Sequence, residues 1–190
     1  SDLKLQGVDF GLALVTEIPA TQGAAPREFT TLKARAGSVA FVGIDGLEVS
    51  ATDLAVEVNR GVAGTGGAAD TVIDYGIQQL DVLAGPSRTV TLDSDGSLGQ
   101  LMRAAGHLKL DVFGFAQLEG DLAFQKSSAT VKLAPKAGTA ETVPVDLLAV
   151  GGENINAFVG IRGGTADQIG LALTDVDFAL ADRKSTRLNS

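Results

Sequence analysis

The chain has 190 residues, is 45% hydrophobic, carries a net charge of −8 and contains no cysteine. That length and hydrophobic content suit one domain with a sizeable core and exclude a disordered chain. The acidity argues against binding a phosphate backbone or an anionic membrane, the missing cysteines exclude disulfides and thiolate-held metals, and no apolar run approaches the roughly 20 residues of a spanning helix.

In chain order, most segments alternate apolar and polar residues with the period of a half-buried strand. "GVDFGLALV" puts Val8, Phe10, Leu12 and Leu14 on one face. The same alternation runs through "TLKARAGSVAFV", "LEVSATDLAVEV", "RTVTLDSD", "HLKLDVFGF", "DLAFQKSSATVKL", "VPVDLLAV" and "IGLALTDVDFAL". Asp45-Gly46, Gly85-Pro86, Asp95-Gly96 and Gly163-Gly164 supply turn chemistry between them. Only "SLGQLMRAAG" predicts a short helix. The fold expected is all-β and repeat-built, a mostly antiparallel layered sheet or β-solenoid-like architecture with bulged strands.

Two self-similarities support the repeat. Leu5, Val8, Asp9, Phe10 and Leu12 return as Leu173, Val176, Asp177, Phe178 and Leu180, and "AFVGIDG" at 40–46 returns as "AFVGIRG" at 157–163. A weaker relative is "VFGF" followed by "GDLAF". The spacing predicts one unit over residues 1–181, with the next unit beginning near 173 and burying surface against its neighbours. Within these segments the apolar phase flips: Leu47 and Val49 are odd-numbered, whereas Leu54, Val56 and Val58 are even. A strand makes that change only with an extra residue, so Gly7, Asp53 and Asp175 are expected at bulges or bends, where glycine and aspartate tolerate unusual backbone angles.

Residues 182–190 have a different character. "DRKSTRLNS" lacks any period, and in ordinary codons it reads as a common short-read sequencing adaptor translated in frame, so it is expected to be foreign to the fold. Without Asp182, Arg183, Lys184 and Arg187 the chain keeps 12 basic and 22 acidic residues of its 15 and 23, and the charge moves from −8 to −10. The expectation is a fragment of a longer chain.

The combination "GVDFGLAL", "FVGIDGLEVSATDLAVEVNR", "LDVFGFAQLEGDLAF" and "VDLLAVGGENINAFVGI" resembles the tandem repeat units of very long secreted or surface-associated, adhesin-like bacterial proteins. The resemblance implies export, an extracellular or cell-surface location, a structural role and many tandem copies. It brings no catalytic residues.

The chemical motifs are weak beside their structural readings. "GTGGAA" at 64–69 satisfies a dinucleotide fingerprint, but the following "DTVIDYGIQQLDV" has no helical stripe to receive a pyrophosphate. "GGAADTVIDYG" and "GGTADQIG" faintly resemble calcium-binding β-roll turns, and "DSDG" at 93–96 begins like a calcium loop without its distal ligands. Acidic turns are common without metal, so no cofactor is expected, with Asp93 and Asp95 the ligands of any Ca²⁺ site. His107 is the single histidine, which excludes a multi-histidine zinc site, and no nucleophile elbow accompanies it. Among paired carboxylates, Asp53 and Asp175 are best placed, yet the phase flip already explains them.

The reading is therefore a non-enzymatic structural repeat, a spacer or scaffold. Its partners would be neighbouring repeats of the same chain, with a surface or host ligand as a further partner and neither nucleic acid nor membrane insertion. The alternatives are an adhesion or ligand-binding module using loops near 60–70 and, third, a dinucleotide-binding enzyme domain.

Overall fold

A computed structural model describes residues 2–64, 71–134 and 138–184. The described chain is all-β. Nine strands form: β1 (Asp2–Thr16), β2 (Glu28–Val42), β3 (Leu47–Val62), β4 (Leu80–Gly85), β5 (Arg88–Leu92), β6 (Leu101–Val112), β7 (Ala116–Leu133), β8 (Glu141–Ile161) and β9 (Ile169–Lys184). Seven make one sheet in the order β1-β2-β3-β6-β7-β8-β9, every neighbouring pair antiparallel, while β4 and β5 form a separate hairpin. β1 and β9 are opposite edges and do not pair, so the sheet is an open meander and not the solenoid that was one of the two expected forms.

The three related turn motifs fall at one end of this meander. "AFVGIDG" carries the chain from β2 to β3, "VFGF" from β6 to β7, and "AFVGIRG" from β8 to β9. In the middle turn, three residues long, Phe113 and Gly114 both have positive φ, 52° and 67°, and the Phe115 N–H donates to the Val112 carbonyl at 2.9 Å, a handedness that suits the strand twist. Asp111 accepts the Gly114 N–H at 2.8 Å.

The helix expected in "SLGQLMRAAG" is a correction. Gly96–Leu98 form a single 3₁₀ turn, and from Leu101 the chain is strand β6. Leu101, Arg103 and Ala105 alternate with Met102, Ala104 and Gly106, and β6 has a strand available on both sides. Ladder bonds to β3 and β7 override the helical preference of Leu, Met and Ala.

Register defines the two faces, because directly paired residues project to the same side. Phe10, Ala34, Val56, Ala104, Phe124, Val150 and Leu180 form one row, one residue per strand. Nearer the turns, Leu3, Phe41, Val49, Leu110, Leu118, Ala157 and Leu173 form another. On β6 both rows fall on even-numbered residues, and β6 shows no register shift against β7. Both rows therefore lie on the same face. The strands whose numbering changes parity between the rows do so without moving an apolar residue to the other side.

The parity change occurs along one transverse crease. Gly7 (φ 61°), Asp53 (φ 52°), Asn154 (φ 53°) and Asp175 (φ 55°) adopt left-handed backbone angles there. β2 passes the crease at Gly37, opposite Gly7. Asp53 and Leu54 together face Gly106, which shifts the β3–β6 register between Thr52 and Ala55. β8 bulges against Gly120 of β7, and β9 makes two compensating shifts against β8 around Ile155. Side chains take up amides displaced from the ladder: Asp177 Oδ1 accepts the Asn154 N–H at 3.0 Å, and Asn156 Oδ1 accepts the Asp175 N–H at 3.2 Å.

The compact core lies on the other face. The connection from β3 to β6 folds back so that the β4–β5 hairpin and Tyr75 lie against β1 and β2, and Ala13, Tyr75 and Leu92 pack together with Ile73 and Val82. The sheet admits this cap because its residues beneath it are small. A Cβ on Gly11 would lie 3.1 Å from the Val90 side chain. Asn59, fully buried, donates to the Ile73 carbonyl at 2.8 Å and accepts from the buried Thr31 hydroxyl at 3.1 Å. Arg88–Asp9 and Lys33–Asp93 ion pairs tie the rim of the cap to the sheet at 2.7 and 2.6 Å.

Residues 182–184, read as the start of the foreign tail, continue β9. Asp182, Arg183 and Lys184 pair with Leu148, Leu147 and Asp146. An open edge offers backbone donors and acceptors to whatever residues come next, so extension here needs no side-chain pattern.

Candidate functional site

The capped face carries the charge chemistry. Beside the cap, Lys33, Arg35, Glu57, Asp93, Asp95 and Arg103 line a groove of about 440 Å³. Glu57 is nearly buried, and two partners hold its charge: the Ser94 hydroxyl donates to Oε1 at 2.7 Å, and Arg103 pairs with Oε2. Lys33 is closed by Asp93, whereas Arg35 forms no ion pair with a carboxylate among the described residues. An anionic group entering this groove would meet Arg35. These residues come from β2, β3, β6 and the cap, segments far apart in sequence, and no local motif announces them.

The expected calcium ligands are occupied otherwise. Asp93 Oδ1 receives Lys33 Nζ, and Asp95 caps the 3₁₀ turn by accepting the Ser97 N–H at 2.8 Å; the Ser97 side chain first, and this backbone bond second, hold its carboxyl below the usual range. Asp74 Oδ1 accepts from the amides of Gly76 and Gly96, both at 3.0 Å. Among the described residues no group of three or more His, Cys, Asp or Glu side chains is arranged to hold a metal ion.

Further along this face, Ala55, Ala105, Ala123 and Gly151 form a floor of small residues, and with His107, Asp121 and Glu153 they border a hollow of about 520 Å³. His107 Nδ1 lies 3.0 Å from Asp121 and Nε2 lies 3.5 Å from Glu119. The hydrogen bond to Asp121, reinforced by Glu119, raises the imidazole above its ordinary pKa. Both ring nitrogens thus face carboxylates, an arrangement that stabilises imidazolium and directs neither nitrogen to a hydroxyl nucleophile. Asp53 and Asp175 do not meet. β3 and β9 stand four interstrand spacings apart, about 19 Å, well beyond the separation of a glycosidase pair.

The dinucleotide motif at 64–69 and the loop at 60–70 lie largely outside the described residues. Where the chain resumes, residues 71–79 contain no helix, and the sheet contains no parallel pair. The described part therefore lacks the βαβ unit that a pyrophosphate site requires.

The opposite face is of another kind. No described segment covers it, and its apolar side chains meet solvent: Phe10 is 57% exposed, Phe178 43% and Leu171 69%. Alternation alone leads one to expect these residues in buried layers, because it identifies an apolar face without identifying what covers it. Among the described residues no helix is long and apolar enough to cross a membrane. No family model, curated protein or solved structure matches the chain.

Proposed function

We infer that this chain is a structural repeat, a length of open β-sheet that tandem copies extend sideways into a spacer or scaffold of a long extracellular surface protein. One observation carries the reading: β9 stands to β8 as β1 would stand to a preceding unit. β1 and β9 share their sequence pattern, run in the same direction because five antiparallel strands separate them, turn the same residues to the apolar face and bend at Gly7 and Asp175. The two edges are therefore interchangeable. A following unit would use β9 as its own β1, and each unit would add six strands, about 29 Å, to the sheet. Extracellular placement rests on the resemblance to adhesin-like repeats alone.

The test is a two-unit chain in which residues 7–174 are followed in frame by a second copy. Shape fits to small-angle scattering should show the dimension across the strands grow by about 29 Å with the dimension along them unchanged, and the two units should melt as one transition above the single-unit temperature. Two units that melt at the single-unit temperature, and that protease separates at the junction, would refute a continuous sheet.

A second reading, a ligand-binding module, is favoured by the groove containing Arg35. It predicts that an acidic oligosaccharide perturbs the fluorescence of Tyr75 in the adjoining cap and that Arg35→Ala abolishes the effect. A titration without any change in Tyr75 emission would remove that reading.

A further inference from the structure

The uncovered face is large by any standard for a free surface. A sheet of seven strands is about 34 Å wide, and strands of 12 residues or more are about 40 Å tall, so the face presents about 1,400 Å². Isolated chains in water rarely leave more than a few hundred Å² of contiguous apolar surface free, and a stable interface needs only about 800 Å² from each partner.

Charge narrows the choice of partner. Neither apolar row contains a charged residue, and charge enters the face only near the end of the strands away from the related turns. There Arg60 and Lys126 stand with Asp146 and Asp182, giving both signs in one rim. A lipid surface is disfavoured by the net charge of −8 and by the absence of an interfacial aromatic belt: the chain has no tryptophan, and its single tyrosine is buried under the cap. The face is also uneven, with Phe10 and Phe124 standing beside Ala34 and Ala104 in one row. Such a surface interdigitates with another of the same kind at the usual separation of about 10 Å between packed sheets.

We propose that the apolar face docks a second copy of this chain, the two sheets packing face to face through Val56, Ala104, Phe124 and Val150 with the caps outward. This inference is independent of the tandem reading, since it concerns the face of the sheet and not its edges.

The experiment uses the full chain in sedimentation, with two variants. The wild type should sediment as a dimer at micromolar concentration. Phe124→Lys combined with Val150→Lys should weaken association at least about a hundredfold, because two charges would be buried against apolar surface. Ala123→Lys, one residue along and on the capped face, should leave the dimer intact. Should the double variant fold poorly, the chain's lack of cysteine allows a second readout. In Phe124→Cys the thiol should react with maleimide more slowly as protein concentration rises, whereas in Ala123→Cys the rate should not change. A monomeric wild type, or a monomer that floats with neutral phosphatidylcholine vesicles, overturns the proposal. So does a dimer unaffected by charges at 124 and 150, which would place association at the β1 and β9 edges.

Discussion

Replacing Asn59 with alanine tests how the cap is held. Its carboxamide makes two buried hydrogen bonds, one to the Ile73 carbonyl at 2.8 Å and one from the Thr31 hydroxyl at 3.1 Å. Each neutral bond is worth about 1 kcal/mol net, and leaving a buried partner unpaired costs about 1 kcal/mol or more. Thr31 is fully buried, so its hydroxyl would have no water to turn to. The expected loss is about 3 kcal/mol, a large fraction of the stability of a domain of this size. The assay uses a feature of the composition: with one tyrosine and no tryptophan, ultraviolet emission reports Tyr75 alone, and Tyr75 is 3% exposed in the cap. In urea, the Tyr75 transition of Asn59→Ala should move to lower denaturant and precede the far-ultraviolet transition of the sheet. Thr31→Val should cost about 1–2 kcal/mol, and the double variant less than the sum, since the two residues share one bond. A Tyr75 transition within about 0.5 kcal/mol of wild type in Asn59→Ala would refute the anchoring role.

The crease and the histidine give two further tests. Gly7→Ala should cost about 1–2 kcal/mol in chemical denaturation through backbone angle alone, because a Cβ there would meet nothing nearer than the Gly37 amide at 3.5 Å; Asp53→Val should cost a similar amount despite the strand preference of valine. For His107 the folded pKa is raised, so its stabilising contribution is fully present below the unfolded value of about 6.5 and is lost as pH rises through the folded value. An NMR titration should place the imidazole above 6.5 in the folded chain, and Asp121→Asn should lower it; an imidazole unmoved by that substitution would show that Asp121 is not its partner.

The sequence by itself determined which residues alternate, where the chain turns and where the alternation changes phase. Period-2 patterning and glycine or aspartate at a left-handed angle are local properties, so β1, β2, β3, β7 and β9 were legible, and so was the special status of Gly7, Asp53 and Asp175. Where local preference and environment disagreed, as at Leu101–Gly106, the reading failed, because the two neighbouring strands that convert this segment into β6 lie elsewhere in the chain. Gly106, Gly120 and Asn154 carry no mark in the sequence for the same reason: a bulge belongs to a pair of strands, and its second half is visible only in register. Only the tertiary structure decided which face the cap covers. Alternation marks an apolar face and a polar one without ranking them, and covering the apolar face would be the usual outcome. Here the β4–β5 hairpin packs on the side where Gly11 and Ala13 leave room, the groove of Lys33, Arg35, Glu57 and Arg103 is assembled from distant strands at the cap's margin, and the broad apolar face is left to solvent. Burial depends on what the folded chain brings alongside a surface, and that information is spread over the whole sequence instead of residing in any one strand.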